Sequence, residues 1–457
     1  MFSRLRSAAV AVAVLASAAA CSDSPTAAGN PTGDDAAALA AVSAAAVPLT
    51  GAATDYDPLL ALTAGAGFVL LGEQTHGTHE FYRERARITR RLVEEQGFTA
   101  IAVEGDWPEA ERVNAYVRGL GGDATAQQAL GNFAAFPRWM WANTDVRDFV
   151  QYLRQRNASL AEPQRVGFYG MDLQAMFESA EAVVRYLERA DPAAAGHARE
   201  RYACFDTFRG GAPENYGRAA SGDPGQSCQQ PAGAQLAELE ARYAAAPAAD
   251  AAALDALFSA LMNARAVERG EAYYRAWAEG GAESWNLRDR HMADVLERIV
   301  AHGRRLGRAV KVVVWAHNTH VGDARAAERA ASGEVNLGML MRQQHAGGVV
   351  LTGFSTFRGT VMAAQAWGGA GERMTLAPAA SGSHADLFHR AKGGDFLLVL
   401  RGQPALAEPF SAYRAQRAVG VVFAPEYERQ SNYFRARLAD QFDAVVHIDQ
   451  STAVDAL

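Results

Sequence analysis

The sequence predicts a three-layer α/β/α fold with a mostly parallel sheet and an inserted helical region, and three observations carry that reading. Short apolar runs rich in β-branched residues recur with helical patterns between them, the signature of strand–helix–strand units. Within each run the hydrophobicity is continuous rather than alternating, as befits central parallel strands covered on both faces. Between about 191 and 302 the β signal gives way to Ala-rich and Glu/Arg-rich helical stretches.

In chain order, strands are expected at Phe68–Leu71, Ala100–Val103, Val166–Tyr169, Val310–Trp315, Val349–Thr352, Phe396–Leu400, Val419–Phe423 and Ala444–Ile448. The helix after the first strand places Phe81, Ile88 and Leu92 on one stripe and is closed by Gly97. Arg85 falls on that same stripe. A guanidinium there needs a carboxylate or a substrate oxygen, unless its stem snorkels out to water. With 457 residues, 49% hydrophobic and 21% charged, the chain can bury a large core, and residues 51–457 are expected to form one α/β domain. A net charge of −7 argues against nucleic acid as a partner, since such partners select basic faces.

Residues 1–21 read as an export signal, with a basic Met1–Arg6 region followed by an apolar stretch too short to span a bilayer. It ends in Ala18-Ala19-Ala20-Cys21, which is similar to the lipobox of bacterial lipoproteins, with Ala18 where Leu is preferred. The expectation is an exported protein of the periplasm or cell envelope. It is either tethered to the membrane through a lipidated Cys21 or cleaved at the Ala-x-Ala site. Residues 22–50, rich in Ala, Gly, Pro, Asp and Ser, read as a flexible tether. In an oxidising compartment Cys204 and Cys228 are expected to pair, closing a local loop for about 3 kcal/mol by the chain-entropy model.

The first four strands all end in ionisable groups: Glu73 and His76, then Glu104 and Asp106, then Asp172, then His317 and His320. In an open α/β sheet one rim collects them, outside the carboxyl ends of the strands. The pairs His76/His79 and His317/His320 raise a metal reading with Glu73 or Glu104 as a further ligand, but the spacing is unspecific and no His-Glu-x-x-His follows, so no metal is assigned. Ser355 lacks the second glycine of a nucleophile elbow, and no phosphate-binding glycine loop occurs, so no nucleotide or other cofactor is assigned. What remains is hydrolysis by an activated water. His76, three residues from Glu73 in a glycine-flanked turn, is the candidate base, with a second imidazole or a guanidinium to meet the developing oxyanion.

Leu71–Phe81, Val103–Pro108, Trp139–Asn143, Tyr169–Asp172, Trp285–Met292 and Trp315–His320 together resemble the erythromycin esterase family. The resemblance implies an α/β/α core with a helical insertion and a metal-independent esterase, in which the position matching His76 is the general base. Glu73, Glu104, Arg85 and His317 would surround it, and the substrate would be a small-molecule ester or lactone. His320, Asp106, Trp107 and Arg288 are taken as the substrate-binding candidates. Members commonly carry Ala where this chain has Gln74. Two other readings stay open: an envelope haem- or ligand-binding protein of related fold with cleft imidazoles on the iron, and an esterase acting on an acyl group of an envelope polymer.

Overall fold

The computed structural model describes residues 33–133 and 137–457, so the expected export signal, Cys21 and the first part of the expected tether lie outside the described residues. Eleven strands form: β1 Val47–Pro48, β2 Phe68–Leu71, β3 Ala100–Asp106, β4 Gly167–Asp172, β5 Val312–Trp315, β6 Val349–Ala363, β7 Glu372–Leu376, β8 Phe396–Val399, β9 Arg414–Arg417, β10 Tyr433–Ala436 and β11 Ala444–Ser451. Nine make one sheet in the order β1-β8-β11-β6-β2-β5-β3-β4, with β7 paired to β6, while β9 and β10 form a separate ribbon. The central strands from β11 to β4 run parallel, and the antiparallel pairs sit at one edge and on the β6 extension.

The continuous apolar runs have the predicted cause. Val69, Leu71, Val103, Val313 and Trp315 enter a core shared with the helices His79–Glu95, Trp107–Arg118 and Thr144–Ala158. Their neighbours Phe68, Leu70, Ala102, Val312 and Val314 enter a second core on the opposite face, shared with Glu283–Arg305, Leu337–Gln344 and His384–Lys392. The side-chain period of two sends alternate residues to opposite layers, and both layers are dry. A third core built on Met176, Tyr202, Tyr216, Leu261 and Tyr274 belongs to the helices between Met176 and Glu279, where a disulfide joins Cys204 to Cys228.

Two expectations need correction. Gly33–Ala45, read as part of a tether, is a helix that buries Ala38 and Val42, and its Asp35 pairs with Arg390 (2.6 Å) and Arg414 (2.7 Å). Its Ala-rich composition is that of a helix as well as of a linker. Val419–Phe423 is not a strand. Isolated bridges tie it to the first site loop at Thr75↔Val419 and to the residue after β6 at Ala364↔Val422, and Phe423 is buried against Val361 and Leu376.

Candidate active site

The carboxyl ends of β2, β5, β3 and β4 lie side by side and open into a cleft of about 300 Å³. This is where a parallel sheet presents its loops. The loop after β2 turns tightly at Gly77, whose φ of +65° few side chains adopt and where an added Cβ would come within 2.2 Å of the Met362 carbonyl. The loop is fastened further by Gln74, which accepts from Thr356 N at 2.8 Å through its side chain, and by His76 N donating to Val419 O at 3.0 Å. The Gln at position 74 therefore ties the loop to β6, a bond that Ala could not make.

His76 lines the cleft, and its Nδ1 sits 2.8 Å from Glu73 Oε1. With the Nδ1 proton on Glu73, Nε2 is left as the acceptor. Glu73 is wholly buried, and its other oxygen accepts from Arg85 Nη2 at 3.1 Å. Arg85 is also wholly buried, packed against Tyr82 and Trp315 with its guanidinium carbon 4.4 and 5.0 Å from their ring centres. It stands behind Glu73 and does not line the cleft. Arg85, expected around the base, therefore reaches His76 only through Glu73.

His317 packs its ring against His76, with centres 4.9 Å apart. Its Nε2 lies 3.0 Å from the Gln74 carbonyl, and its Nδ1 lies 2.8 Å from Thr319 Oγ1. Burial, reinforced by the neighbouring His76, holds it well below the ordinary imidazole value, so it is neutral. Both its nitrogens are occupied within the protein, so in this geometry it fixes the His76 ring rather than donating to an oxyanion. Its backbone N–H donates to Glu104 Oε2 at 2.7 Å.

Glu104 joins two further cations. Arg288 Nη2 donates to its Oε1 at 2.8 Å, and His320 Nε2 lies 3.3 Å from the same oxygen. Burial would lift the Glu104 carboxyl, but His320 and Arg288 hold it well below the usual range. His320 is itself buried, stacked on Trp285 at 4.4 Å, with Nδ1 within 3.0 Å of both Asp289 oxygens. Burial opposes its charge, but Asp289 and Glu104 overcome that and raise it to about 9. Asp289 moves upward too, because its burial outweighs His320. Two oxygens on one imidazole nitrogen, with Leu337 N also donating to Asp289 at 2.7 Å, is the geometry of a charged pair, and His320 is taken as protonated. Arg288 Nη1 approaches His320 Nε2 to 3.1 Å, a like-charge contact that Glu104 Oε1 between them offsets.

Arg288 also grips Asp172 with two nitrogens, at 2.9 and 2.6 Å. Beside Asp172 in the β3–β4 register stands Asp106, which lines the cleft and accepts from Ala175 N at 2.9 Å. Burial and the Asp172 charge push the Asp106 carboxyl up to about 7.

The cleft thus gathers His76, Glu104, His317, His320, Asp106 and Arg288, with Glu73 buried behind His76, but not every expected residue. Trp107 faces a separate cavity of about 380 Å³, shared with Tyr169 and Phe258, where its Nε1 donates to Ser259 Oγ at 3.0 Å. As the first residue of a helix that starts at the cleft rim, it points opposite to Asp106. His79 bonds Asp145 at 2.8 Å and does not line the cleft, so the first His-x-x-His pair does not converge on one point. With the nitrogens of His317 and His320 engaged, neither offers a free lone pair to a haem iron in this arrangement. Ser355 Oγ lies 3.3 Å from His447 Nδ1, with Asp449 3.5 Å beyond, but both Ser355 and His447 are buried beside a void of only about 10 Å³. Trp141, from the stretch Trp139–Asn143, lines the cleft and donates its Nε1 to Glu104 O at 2.9 Å. Asp289 and Thr319 are not among the expected site residues: Asp289 is announced by its position next to Arg288 in Trp285–Met292, while Thr319 acts through a contact with His317 that no spacing announces.

The family model described as erythromycin esterase matches residues 93–451, which begins downstream of Glu73, His76 and Arg85. An erythromycin esterase type II from Escherichia coli is 28% identical over 119 residues, spanning 26% of this chain and 26% of that protein. Thus the chain aligns with only about a quarter of that relative's length. Among solved structures, a succinoglycan biosynthesis protein and a Bacillus cereus protein each superpose with a TM-score of 0.75 at 20% identity, covering 93% of this chain and 100% of theirs. A His-to-Asn mutant of the erythromycin esterase EreC in its open conformation gives 0.62 at 20% identity, covering 88% of this chain and 95% of that one. At such identity these structures show a shared fold.

Proposed function

The chain belongs to the erythromycin esterase family, and from that premise we propose that it hydrolyses carboxylic esters or lactones, with His76 as the general base on water. The observation that carries the reading is the Glu73–His76 pair, which leaves Nε2 as an acceptor in a cleft that the cation Arg288 also lines. Water at Nε2 gives its proton to the imidazole as its oxygen attacks the carbonyl carbon. Glu73 orients the ring and stabilises the imidazolium, Arg85 holds Glu73, and His317 fixes the ring from its side. Arg288 is the group placed to meet charge developing on the carbonyl oxygen, and Glu104 and Asp172 hold it in position. Trp141, Trp285, Trp367 and Val421 supply the apolar wall against which the body of the substrate packs. The reading calls on no cofactor.

The test is turnover of a panel of macrolide lactones and simple acyl esters followed by mass, beside His76→Ala. Gain of one water, lost in a variant with unchanged circular dichroism, is the expected result. A folded His76→Ala protein with wild-type rates overturns His76 as base, and a panel left intact overturns the ester reading. The reading includes export and a membrane tether through Cys21. A lipid-sized mass addition on a chain beginning at Cys21 supports it, and retention of Met1 overturns it.

A further inference from the structure

We propose that Asp106 is the general acid of this site, giving its proton to the alcohol oxygen that leaves the ester or lactone. The inference rests on the ester-hydrolase reading above and assigns a second proton-transfer group to the same cleft. Three features of geometry carry it. First, Asp106 and Asp172 are partners in the β3–β4 register, so two carboxylates share one strand-end site. Arg288 grips both oxygens of Asp172, at 2.9 and 2.6 Å. Among the described residues Asp106 has no such cation; the backbone N–H of Ala175 at 2.9 Å and that of Gln174 hold it. When like charges crowd a buried pair, the member without a counter-ion takes the proton. Second, of the charged groups near Asp106, Arg138, Arg329 and Glu109 line the same cleft and Glu178 acts on it, with Tyr273 and Tyr274 nearby, and among the described residues none forms an ion pair with it. Burial and Asp172 place its titration at about 7, with the proton present below that.

Third, the sheet order sets the spacing. His76 follows β2 and Asp106 ends β3, with β5 between them carrying His317 at its end. Two inter-strand steps set the ends of β2 and β3 about 10 Å apart, and His76 and Asp106 both line one cleft. An ester carbonyl lying over the end of β5 has His76 on its water side and Asp106 on its leaving-group side. Water oxygen bonds to the carbonyl carbon as its proton passes to His76 Nε2. The tetrahedral intermediate then collapses, the electrons of the C–O bond go to the leaving oxygen, and that oxygen takes the Asp106 proton. The imidazolium proton returns to the Asp106 carboxylate through solvent, which restores both groups and leaves one acid and one alcohol.

The experiment compares Asp106→Asn with the wild-type full chain on paired aryl and alkyl esters of one acid. Aryloxide leaves without help, whereas alkoxide needs the proton. A loss of 10²- to 10⁴-fold on the alkyl ester, with less than about tenfold on the aryl ester, is expected. Equal losses on both esters, or no loss on either, would overturn the assignment. A second arm needs no variant. Wild-type alkyl-ester kcat should fall as pH rises through about 7, with no such limb for the aryl ester. Identical profiles overturn the proposal. Should the wild-type chain hydrolyse neither ester nor any lactone, the ester-hydrolase reading itself fails and the proposal falls with it.

Discussion

Changing Glu73 to Gln and Arg85 to Met, singly and together, tests whether the buried pair behind His76 is a coupled unit. Both side chains are wholly buried and meet at 3.1 Å. Arg85 Nε and Nη1 have no hydrogen-bond partner among the described residues, so Glu73 is its one counter-charge, helped by the Tyr82 and Trp315 rings. At an effective dielectric of about 20, two unit charges about 4 Å apart attract by about 4 kcal/mol. Removing one partner of such a pair costs about 3–5 kcal/mol, because the other charge is left uncompensated in the interior. Glu73→Gln should fall in that range. Arg85→Met should sit at its lower end, because Glu73 keeps its bond to His76 Nδ1 at 2.8 Å. The double variant strands neither charge, so its cost should fall short of the sum by on the order of 2–3 kcal/mol. Urea unfolding with the disulfide intact, followed by near- and far-ultraviolet circular dichroism, measures this. Additivity within about 0.5 kcal/mol refutes the coupled pair. Activity should not recover with stability: without the Glu73 carboxylate, kcat should stay about 10²- to 10⁴-fold down in the double variant.

The raised His320 titration, from an ordinary 6.5 to about 9, makes a pH prediction. Its folded value lies above its unfolded one, so its contribution, about 3 kcal/mol at most, is fully present below pH 6.5 and is lost as pH rises through about 9. His320→Gln should flatten the decline of the urea midpoint between pH 7 and 10, and an unchanged decline would count against the Asp289–His320–Glu104 pairing. Gly77→Ala places a Cβ 2.2 Å from the Met362 carbonyl at a φ of +65°. It should cost more than about 2 kcal/mol and most of the activity, and a variant with wild-type midpoint and kcat contradicts the tight turn. Replacing Cys204 and Cys228 by Ser opens a loop with a sequence separation of 24. Stability should fall by about 3 kcal/mol while kcat/KM changes less than twofold, because the disulfide belongs to the core of the helical region; a tenfold kinetic loss would show that this region shapes the cleft.

The central strands were legible because burial on both faces writes an unbroken apolar run. Phe68–Leu71 sends alternate residues into two cores, and no polar residue is tolerated on either side. Where burial has another source the same signal misleads. Val419 and Phe423 are as buried as strand residues, yet they belong to a segment joined only by isolated bridges to the loop after β2 and to the end of β6. The β9–β10 ribbon escaped notice for the opposite reason. Arg414–Arg417 carries two arginines, whose buried member Arg417 pairs with buried Glu428, so its core position is filled by an ion pair rather than by an apolar residue.

The site divides along the same line. Glu73, His76, Glu104, Asp106 and His317 follow directly from strands, and sheet order alone brings them together. Arg288 and Asp289 come from the helix Glu283–Arg305, and neighbours in sequence on a helix point about 100° apart. They serve one network only because this helix runs along the cleft with its edge toward it. Arg288 then reaches Asp172 and Glu104, while Asp289 reaches His320 from behind. That division has a consequence for the chemistry. The strand-end residues set which atoms can exchange protons, whereas the helix fixes which of them stay charged. Arg288 grips Asp172, and His320 with Arg288 keeps Glu104 ionised, which leaves Asp106 as the strand-end carboxyl without a cation of its own among the described residues. A one-turn shift of this helix would therefore do more than remove a cation from the cleft. It would also leave Asp172 without its guanidinium partner, directly beside Asp106 in the β3–β4 register.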